Sequence, residues 1–464
     1  MRTTHSHCMR KLQCAVYSAV AVIGASQGVY AADSVAPDAE PIRFAPAAAH
    51  AEAYSKGVSL KQLVAEALKN NPEIRAAANE REAASQRVAP AAALDDPMLE
   101  AGLLNLPTRS FSFNREDMTM KMLGLSQRIP YPGKRALKRD IAERDSESVA
   151  HAYHETVNRI ARDVSTTYYE LAFVQESMRV VQQNRAVVTQ LLKVVEGRHS
   201  VGRATQVEVL KTQTQLSRMS EEQIKLERER PMLEAELNRM LGRPAHNAPP
   251  LTLLPKLDTA AASAASPEES TWANRPQLRA LQTMVSRADR ALELAQKDRY
   301  PDFDVRFAYG QRDSMPDGTR RSDLVSMTVA INLPVWRATK TGPRIAEAQA
   351  LQEQAVNLYE AQRNETATRL HHQAATAEQS LRAARLYDAE ILPQSRLTFE
   401  AALAAYQVNR GELMPMLDAQ MAIFNAELGY ASAVFSYHKA LSEIQFLSGG
   451  ASEHTMNDHT GSMQ

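Results

Sequence analysis

A shift of 204 positions lays one half of this chain over the other. It carries Pro72 onto Pro276, Pro97 onto Pro301, Pro130 onto Pro334, and Ile141-Ala142-Glu143 onto Ile345-Ala346-Glu347. Further on, a shift of 207 carries Val201 onto Val408, Leu210 onto Leu417, Gln213 onto Gln420 and Gly242 onto Gly449. Landmarks spread from near one end of each half to the other do not keep step by chance. The chain reads as one structural unit duplicated, and any fold assigned to it must be built twice.

Each unit turns on a change of period. In the stretch Met118 to Glu143, an alternating segment ends at Gln127-Arg128-Ile129-Pro130-Tyr131-Pro132-Gly133-Lys134-Arg135 and a helical one begins; Ile331-Asn332-Leu333-Pro334 makes the same junction in the second half. Pro130, Pro132, Gly133 and Pro334 are the expected strand-to-helix punctuation, since proline and glycine end a strand and pre-set a first helical turn. Lys134 and Arg135 are expected near a membrane surface, where long basic side chains reach water. Before the junction, Leu99, Ala101 and Leu103 alternate with Met98, Glu100 and Gly102, and Met118, Met120 and Met122 alternate with Thr119 and Lys121. In the second half Phe303, Val305, Phe307 and Tyr309 oppose Asp302, Asp304 and Arg306, and Val325, Met327, Val329, Ile331 and Leu333 oppose Leu324, Ser326, Thr328, Ala330 and Asn332. A period of two over about ten residues fits a transmembrane barrel strand, and equally a soluble hairpin with one buried face. On the barrel reading the three methionines sit on the lipid face, where packing explains them better than a copper relay.

After the junction the period changes to that of a coiled coil. From Lys134 to about Glu196 no proline or glycine intervenes, and Ile160, Val164, Thr167, Leu171, Val174, Met178, Val181, Arg185, Val188, Leu192 and Val195 step by four and three. Such a helix of some 60 residues would be about 90 Å long and needs partners along its length. Gly197 to Arg203 reads as a turn and Ala204 to Leu241 as the return helix. The second half repeats the order: helix Gln277 to Lys297, two strands, a helix from Pro343 to Tyr406, a turn at Val408 to Gly411, and a return to Phe446.

The expected organisation is a signal peptide at 1–31, an N-terminal tail at 32–59, a first repeat at 60–245, a linker at 246–270, a second repeat at 271–449 and a flexible tail at 450–464. Arg2, Arg10 and Lys11, the apolar run Ala15 to Ala25 and Val29-Tyr30-Ala31 make the secretory pattern. Both cysteines, Cys8 and Cys14, lie within it, which excludes disulfides and thiolate metal sites from the mature chain, and Gln13 before Cys14 is not a lipoprotein pattern. Beyond it no apolar run reaches the roughly 20 residues of a membrane-spanning helix, so insertion must use strands. With 54 basic and 54 acidic side chains and no basic patch, nothing points to nucleic acid.

Four amphipathic strands cannot close a barrel, and open edges are not tolerated in lipid, so strands that enter a membrane must share a barrel with other copies. The duplication, the strand pairs, the proline junctions and the turns Val201-Gly202-Arg203-Ala204-Thr205 and Val408-Asn409-Arg410-Gly411-Glu412-Leu413 resemble the outer-membrane efflux protein (TolC) family over essentially the whole mature length. At Pro130-Tyr131-Pro132-Gly133-Lys134-Arg135 the chain is most similar to the CusC-like and CzcC-like members that serve heavy-metal exporters. The resemblance implies a mainly α fold with a small β part. Two long coiled-coil hairpins and two strand pairs would form, as a homotrimer, a twelve-stranded outer-membrane β-barrel continued by a periplasmic α-helical barrel. It implies docking onto a periplasmic membrane-fusion adaptor and an inner-membrane pump of the RND type, with cation export as the activity and no cofactor.

Family resemblance also implies a gate. Asp418 matches an aspartate that lines the periplasmic constriction, and Tyr406 matches a tyrosine that ties the closed helices. Pro415 stands three before Asp418 where the pattern has a second aspartate, and Glu208, after the first turn, could supply the acid instead; a carboxylate ring enriches cations in a pore. Ordinary solvated helix positions would account for both acids equally. Val201, Gly202, Val408 and Gly411 at the tips are expected adaptor contacts as well as chain turns. Multidrug efflux or type I secretion by the same fold stays open, as does a different class, a periplasmic coiled-coil adaptor, though an adaptor would carry one hairpin rather than two. His151 and His154 lie three apart without an evident third ligand, and His454, Met456, His459 and Met463 give the tail a weak soft-metal character, so no metal site is assigned. No nucleophile motif, phosphate loop or zinc spacing is present, and the chain is not expected to be an enzyme.

Overall fold

A computed structural model describes residues 59–247, 252–255, 257, 272–408 and 410–450. The expected signal peptide, both tails beyond those limits and most of the linker lie outside the described residues. The first half runs α1 (Leu60–Asn70), α2 (Pro72–Gln86), α3 (Val88–Ala92), β1 (Met98–Leu104), β2 (Met120–Ile129), α4 (Lys134–Ser200) and α5 (Gln206–Met240). The second repeats this order as α6 (Pro276–Lys297), β3 (Phe303–Gln311), β4 (Leu324–Ile331), α7 (Gly342–Leu386), α8 (Leu392–Gln407) and α9 (Leu413–Leu447).

The seam on α4 buries Ile160, Val164, Leu171, Val174, Val181, Val188 and Val195 almost completely, packed in turn on α1 and α5 and then on α9. Two expected positions fail. Arg185 is exposed, and Asn184 and Leu191 are buried instead of Arg185 and Leu192. The cause is a polar pairing across to α9: the Asn184 amide donates to Glu427 at 2.9 Å and its oxygen accepts from Gln420 at 2.6 Å, so the helix presents that side chain and the arginine stays in water.

Two boundaries also differ from the sequence reading. α4 runs through Gly197 and stops at Ser200, where Gly202 takes φ +72° and the Arg203 amide donates back to the Arg198 carbonyl at 2.8 Å, a C-terminal motif that glycine permits without strain. The helix expected from Pro343 to Tyr406 is interrupted by a wide turn of π type at Tyr387–Ile391, just before Pro393, which has no N–H to continue the ladder. The bulge is accommodated on α9 by Gly429, where a Cβ would stand 2.5 Å from the Tyr387 ring.

Duplication extends to the joints. Asn71 caps α2, accepting from the Glu73 amide at 2.7 Å, and its amide donates to the Met240 carbonyl at 2.8 Å. Its counterpart under the 204 shift, Arg275, is equally buried and pairs with Glu155 at 2.5 Å. Gly242 and Gly449, both at positive φ, let the ends of α5 and α9 approach those two positions.

The strands form one antiparallel sheet in the order β1-β2-β3-β4. In register, Leu99 faces Leu125, Leu125 faces Phe307 and Phe307 faces Met327, so one face of the sheet is a continuous apolar surface. Every one of those four is at least half exposed. The other face carries Glu100 paired with Arg306 beside Gly124. β1 and β4 have no partner on their outer edges among the described residues.

Candidate functional site

The sheet has an apolar side and a polar side, and the methionines are on the side opposite to that expected. Met120 pairs with Leu104 and Met122 with Gly102 and Gly310, in line with Glu100 and Arg306. Met120 is buried over Gly310, where a Cβ would meet its sulfur at 2.5 Å. The physical reason lies in the repeat: the 204 shift maps Met120 and Met122 onto Leu324 and Ser326, which belong to the polar alternation of the second half. A flexible thioether fills the irregular inner surface left by small residues. Met118 precedes the strand and is exposed.

At the strand-to-helix junction Gly133 caps α4 with φ +89°, which accounts for a glycine there. The Lys134 side chain does not reach water as expected; it is buried. Its Nζ donates to Asp302 at 2.9 Å and to the Tyr300 carbonyl at 3.2 Å, with Asp298 at 3.3 Å. Asp302 also accepts from the Tyr131 amide at 2.9 Å and from Arg128 at 3.3 Å, and the Tyr131 and Tyr300 rings stack 4.5 Å apart. Burial raises the Asp302 pKa, but the Tyr131 amide and the Lys134 and Arg128 cations outweigh it, so its carboxyl is held below the usual carboxylate range. Arg135 is exposed and donates to the Ala92 carbonyl at 2.9 Å.

At the far end of the hairpins the structure brings Tyr406 together with α4. Its ring is buried among Leu191, Val195, Val209, Leu413 and Met416. Arg198 lies 3.8 Å from the ring centroid and donates to the Tyr406 carbonyl at 2.9 Å. Burial pushes the phenol pKa up; Arg198 opposes this and the Glu208 carboxylate adds to it. Glu208 itself closes a capping box with Thr205, accepting from the Thr205 amide at 2.7 Å. The 207 shift places Pro415 at the equivalent third position of α9, where a helix has no intrahelical use for an N–H, so proline fits without loss. Asp418 is exposed on α9 and has no ion pair among the described residues. Val201 and Val408 are exposed at the two tips beside Val207 and Leu210, and Gly411 gives close approach to Ala405 and Tyr406.

The histidine pair gains no third ligand. His154 packs on Tyr153, and burial with the nearby Arg81 cation lowers its pKa. No group of three metal-ligating residues occurs among the described residues, and His454, Met456, His459 and Met463 lie outside them. None of the described helices is long and apolar enough to cross a membrane.

This geometry, an apolar-faced sheet with open edges on long paired helices, coincides with a sequence match over residues 63–243 and 269–450 to the family described as outer membrane efflux protein. The chain belongs to that family. Its place is therefore the outer membrane, with the helical hairpins extending into the periplasm, and as a member of a channel family it is not an enzyme. The crystal structure of the outer membrane protein VceC from Vibrio cholerae superposes with a TM-score of 0.72 at 16% identity, covering 84% of this chain and 96% of that one. The structure of CusC gives 0.72 at 14% identity, covering 84% and 92%. The pyoverdine export outer membrane protein OpmQ of Pseudomonas putida is 23% identical over 267 residues, 57% of this chain and 56% of its own length. The chain thus spans about half the length of the curated relatives it matches.

Sequence reasoning missed the residues that complete each site. Arg198 carried no signal beyond its place in a last helical turn. Asp298 and Asp302 lie more than 160 positions from Lys134, which the sequence reading left in water, so no local signal pointed to them.

Proposed function

We propose that the chain is the exit duct of a tripartite efflux system, three copies sharing one barrel. The sheet carries this reading: four strands with an exposed apolar face and two unpaired edges. An apolar face of that kind calls for lipid, and lipid does not tolerate the edges. Two copies would give eight strands around a bore that side chains fill; three give twelve and leave a channel. Mass measurement of the detergent-extracted outer-membrane fraction should give a trimer, and a chain recovered wholly as soluble periplasmic protein would end the proposal.

The tips would meet the periplasmic adaptor through exposed Val201 and Val408 where Gly202 and Gly411 turn the chain, and an inner-membrane pump would supply the energy. Asp418, exposed and unpaired on the first turns of α9, is the group we assign to the cation-selective constriction, with Tyr406 as the latch behind it. Glu208 is the less suited acid, because its carboxylate is held by Thr205. In planar bilayers Asp418→Ala is expected to lower the cation-to-anion permeability ratio roughly twofold. Unchanged selectivity would remove Asp418 from the gate.

For cargo, heavy-metal cations delivered by an RND-type pump are supported by the junction resemblance to metal-exporting members. Cells lacking the protein should then accumulate one or two of copper, silver, zinc, cadmium and cobalt, read by mass spectrometry and reversed by complementation. The likeness to a pyoverdine exporter favours a second reading, an organic chelator as cargo. Loss of chelator export with unchanged metal content would select it.

A further inference from the structure

The joint between β2 and β3 has a counterpart that one chain cannot complete. Under the 204 shift β2 corresponds to β4 and β3 to β1, the two strands whose outer edges are open. The in-chain joint is electrostatic: Arg128 and Lys134 from the first half meet Asp298 and Asp302 from the second. The same shift replaces Arg128 by Asn332, Lys134 by Ala338, Asp298 by Leu94 and Asp302 by Met98. All four charges are gone. Beside those positions the surface exposes large apolar side chains: Leu333, Val335 and Trp336 after β4 are 71%, 67% and 70% exposed, and Met98 on β1 is 64% exposed.

We infer that Leu333 of one copy packs against Leu99 of the next, with Val335 and Trp336 beside Leu94 and Met98, making the joint between copies an apolar version of the charged joint within the chain. This rests on the trimer proposed above and adds its register and chemistry. The in-chain pair Ile129 and Phe303 carries over to Leu333 facing Leu99, which keeps both on the apolar face of the sheet. At the rim Arg337 stands in the place of Gly133 and Asp96 in that of Tyr300; both are exposed and opposite in sign, and so favour this pairing over its alternatives.

The change of chemistry follows from when each joint forms. Lys134 and Asp302 meet as one chain folds, each supplied with a partner by the same sequence. Between separate copies both surfaces face water or lipid headgroups until assembly, and buried charges would then have to shed their hydration. Apolar side chains gain on being covered. A tryptophan adds a large rigid surface with one polar edge, suited to a joint at the level where the barrel leaves the membrane.

The competing occupant of this surface is lipid itself, and two measurements separate them. In a chain with Cys8 and Cys14 replaced by alanine, Leu333→Cys with Leu99→Cys is expected to give reducible covalent trimers on oxidation. Leu333→Cys with Leu103→Cys, four residues out of register, should give none. Trp272→Phe leaves Trp336 as the sole tryptophan of two; its emission should shift to the blue on assembly and keep its intensity in bilayers of brominated lipid. A trimer by mass that fails to cross-link, or strong quenching of Trp336 by the brominated lipid, overturns the inference while leaving the trimer standing. If the cysteine variants do not assemble, the tryptophan measurement decides. Failure of the unmodified chain to form a trimer would instead remove the assembly proposal.

Discussion

Replacing Lys134 by methionine is expected to lower stability by about 3 kcal/mol at neutral pH, the scale for removing one partner of a buried ion pair. Lys134 and Asp302 have side chains only 8% and 13% exposed, so solvent does little to screen their interaction. Without the ammonium, Asp302 keeps the Tyr131 amide and the more distant Arg128, and Asp298 keeps only Arg344, at 3.6 Å. The sign of the pH dependence follows from the lowered Asp302 pKa. Its contribution is fully present above the unfolded carboxylate value, about 4, and is lost as pH falls through the folded value. The difference between Lys134→Met and the wild type should therefore be largest near pH 7 and shrink below about pH 4. Urea unfolding of the detergent-solubilised protein, followed by helical circular dichroism at both pH values, measures it. Equal midpoints at pH 7 would mean that the node contributes nothing, and a difference independent of pH would mean that lost packing dominates.

The same node shows how far sequence alone reaches. Proline, glycine and the change of period located the junction to within two residues, because those signals are local: a fixed φ, a missing N–H, a positive φ at Gly133. The partners of Lys134 lie more than 160 positions away and no local pattern points to them. The long helices were legible for a similar reason, since a seam of step three and four is written along the chain itself. Where a distant side chain competes for the seam, as Glu427 and Gln420 do for Asn184, the local pattern chose Arg185 and the tertiary contact prevailed. The strand faces fall between these cases. Alternation fixed which residues share a face but not which face meets lipid in the first half, because Met120 and Met122 are apolar enough for either. The repeat held the answer, since Ser326 in the place of Met122 marks the inner side. At the tips, Tyr406 and Asp418 entered through resemblance, whereas Arg198, the group that holds Tyr406, had to be seen in place.

Arg198→Ala is expected to produce the largest functional change of any single substitution at the tips. Arg198 is the link between the two hairpins there: it belongs to the last turn of α4 and holds both the ring and the carbonyl of Tyr406 on α8. A hydrogen bond from a charged donor is worth about 1.5–3 kcal/mol and the stacked cation about 0.5–1 kcal/mol. If these contacts belong to the closed arrangement alone, losing about 3 kcal/mol shifts the closed-to-open ratio by roughly a hundredfold. Planar-bilayer recordings should then show a large rise in open probability, and cells carrying the variant should admit large antibiotics normally excluded by the outer membrane. Tyr406→Phe retains the carbonyl and the aromatic face and should behave nearly as wild type. Tyr406→Ala removes the face and leaves a cavity among Leu191, Val195 and Leu413, adding a stability cost of about 3 kcal/mol to the gating effect. Arg198→Lys keeps the charge but loses the flat guanidinium that contacts ring and carbonyl together, and should fall between the two. Wild-type conductance in Arg198→Ala would show that the latch lies elsewhere. An intermediate Arg198→Lys with a near-silent Tyr406→Phe would assign closure to the guanidinium's hold on the backbone and ring, rather than to the tyrosine hydroxyl.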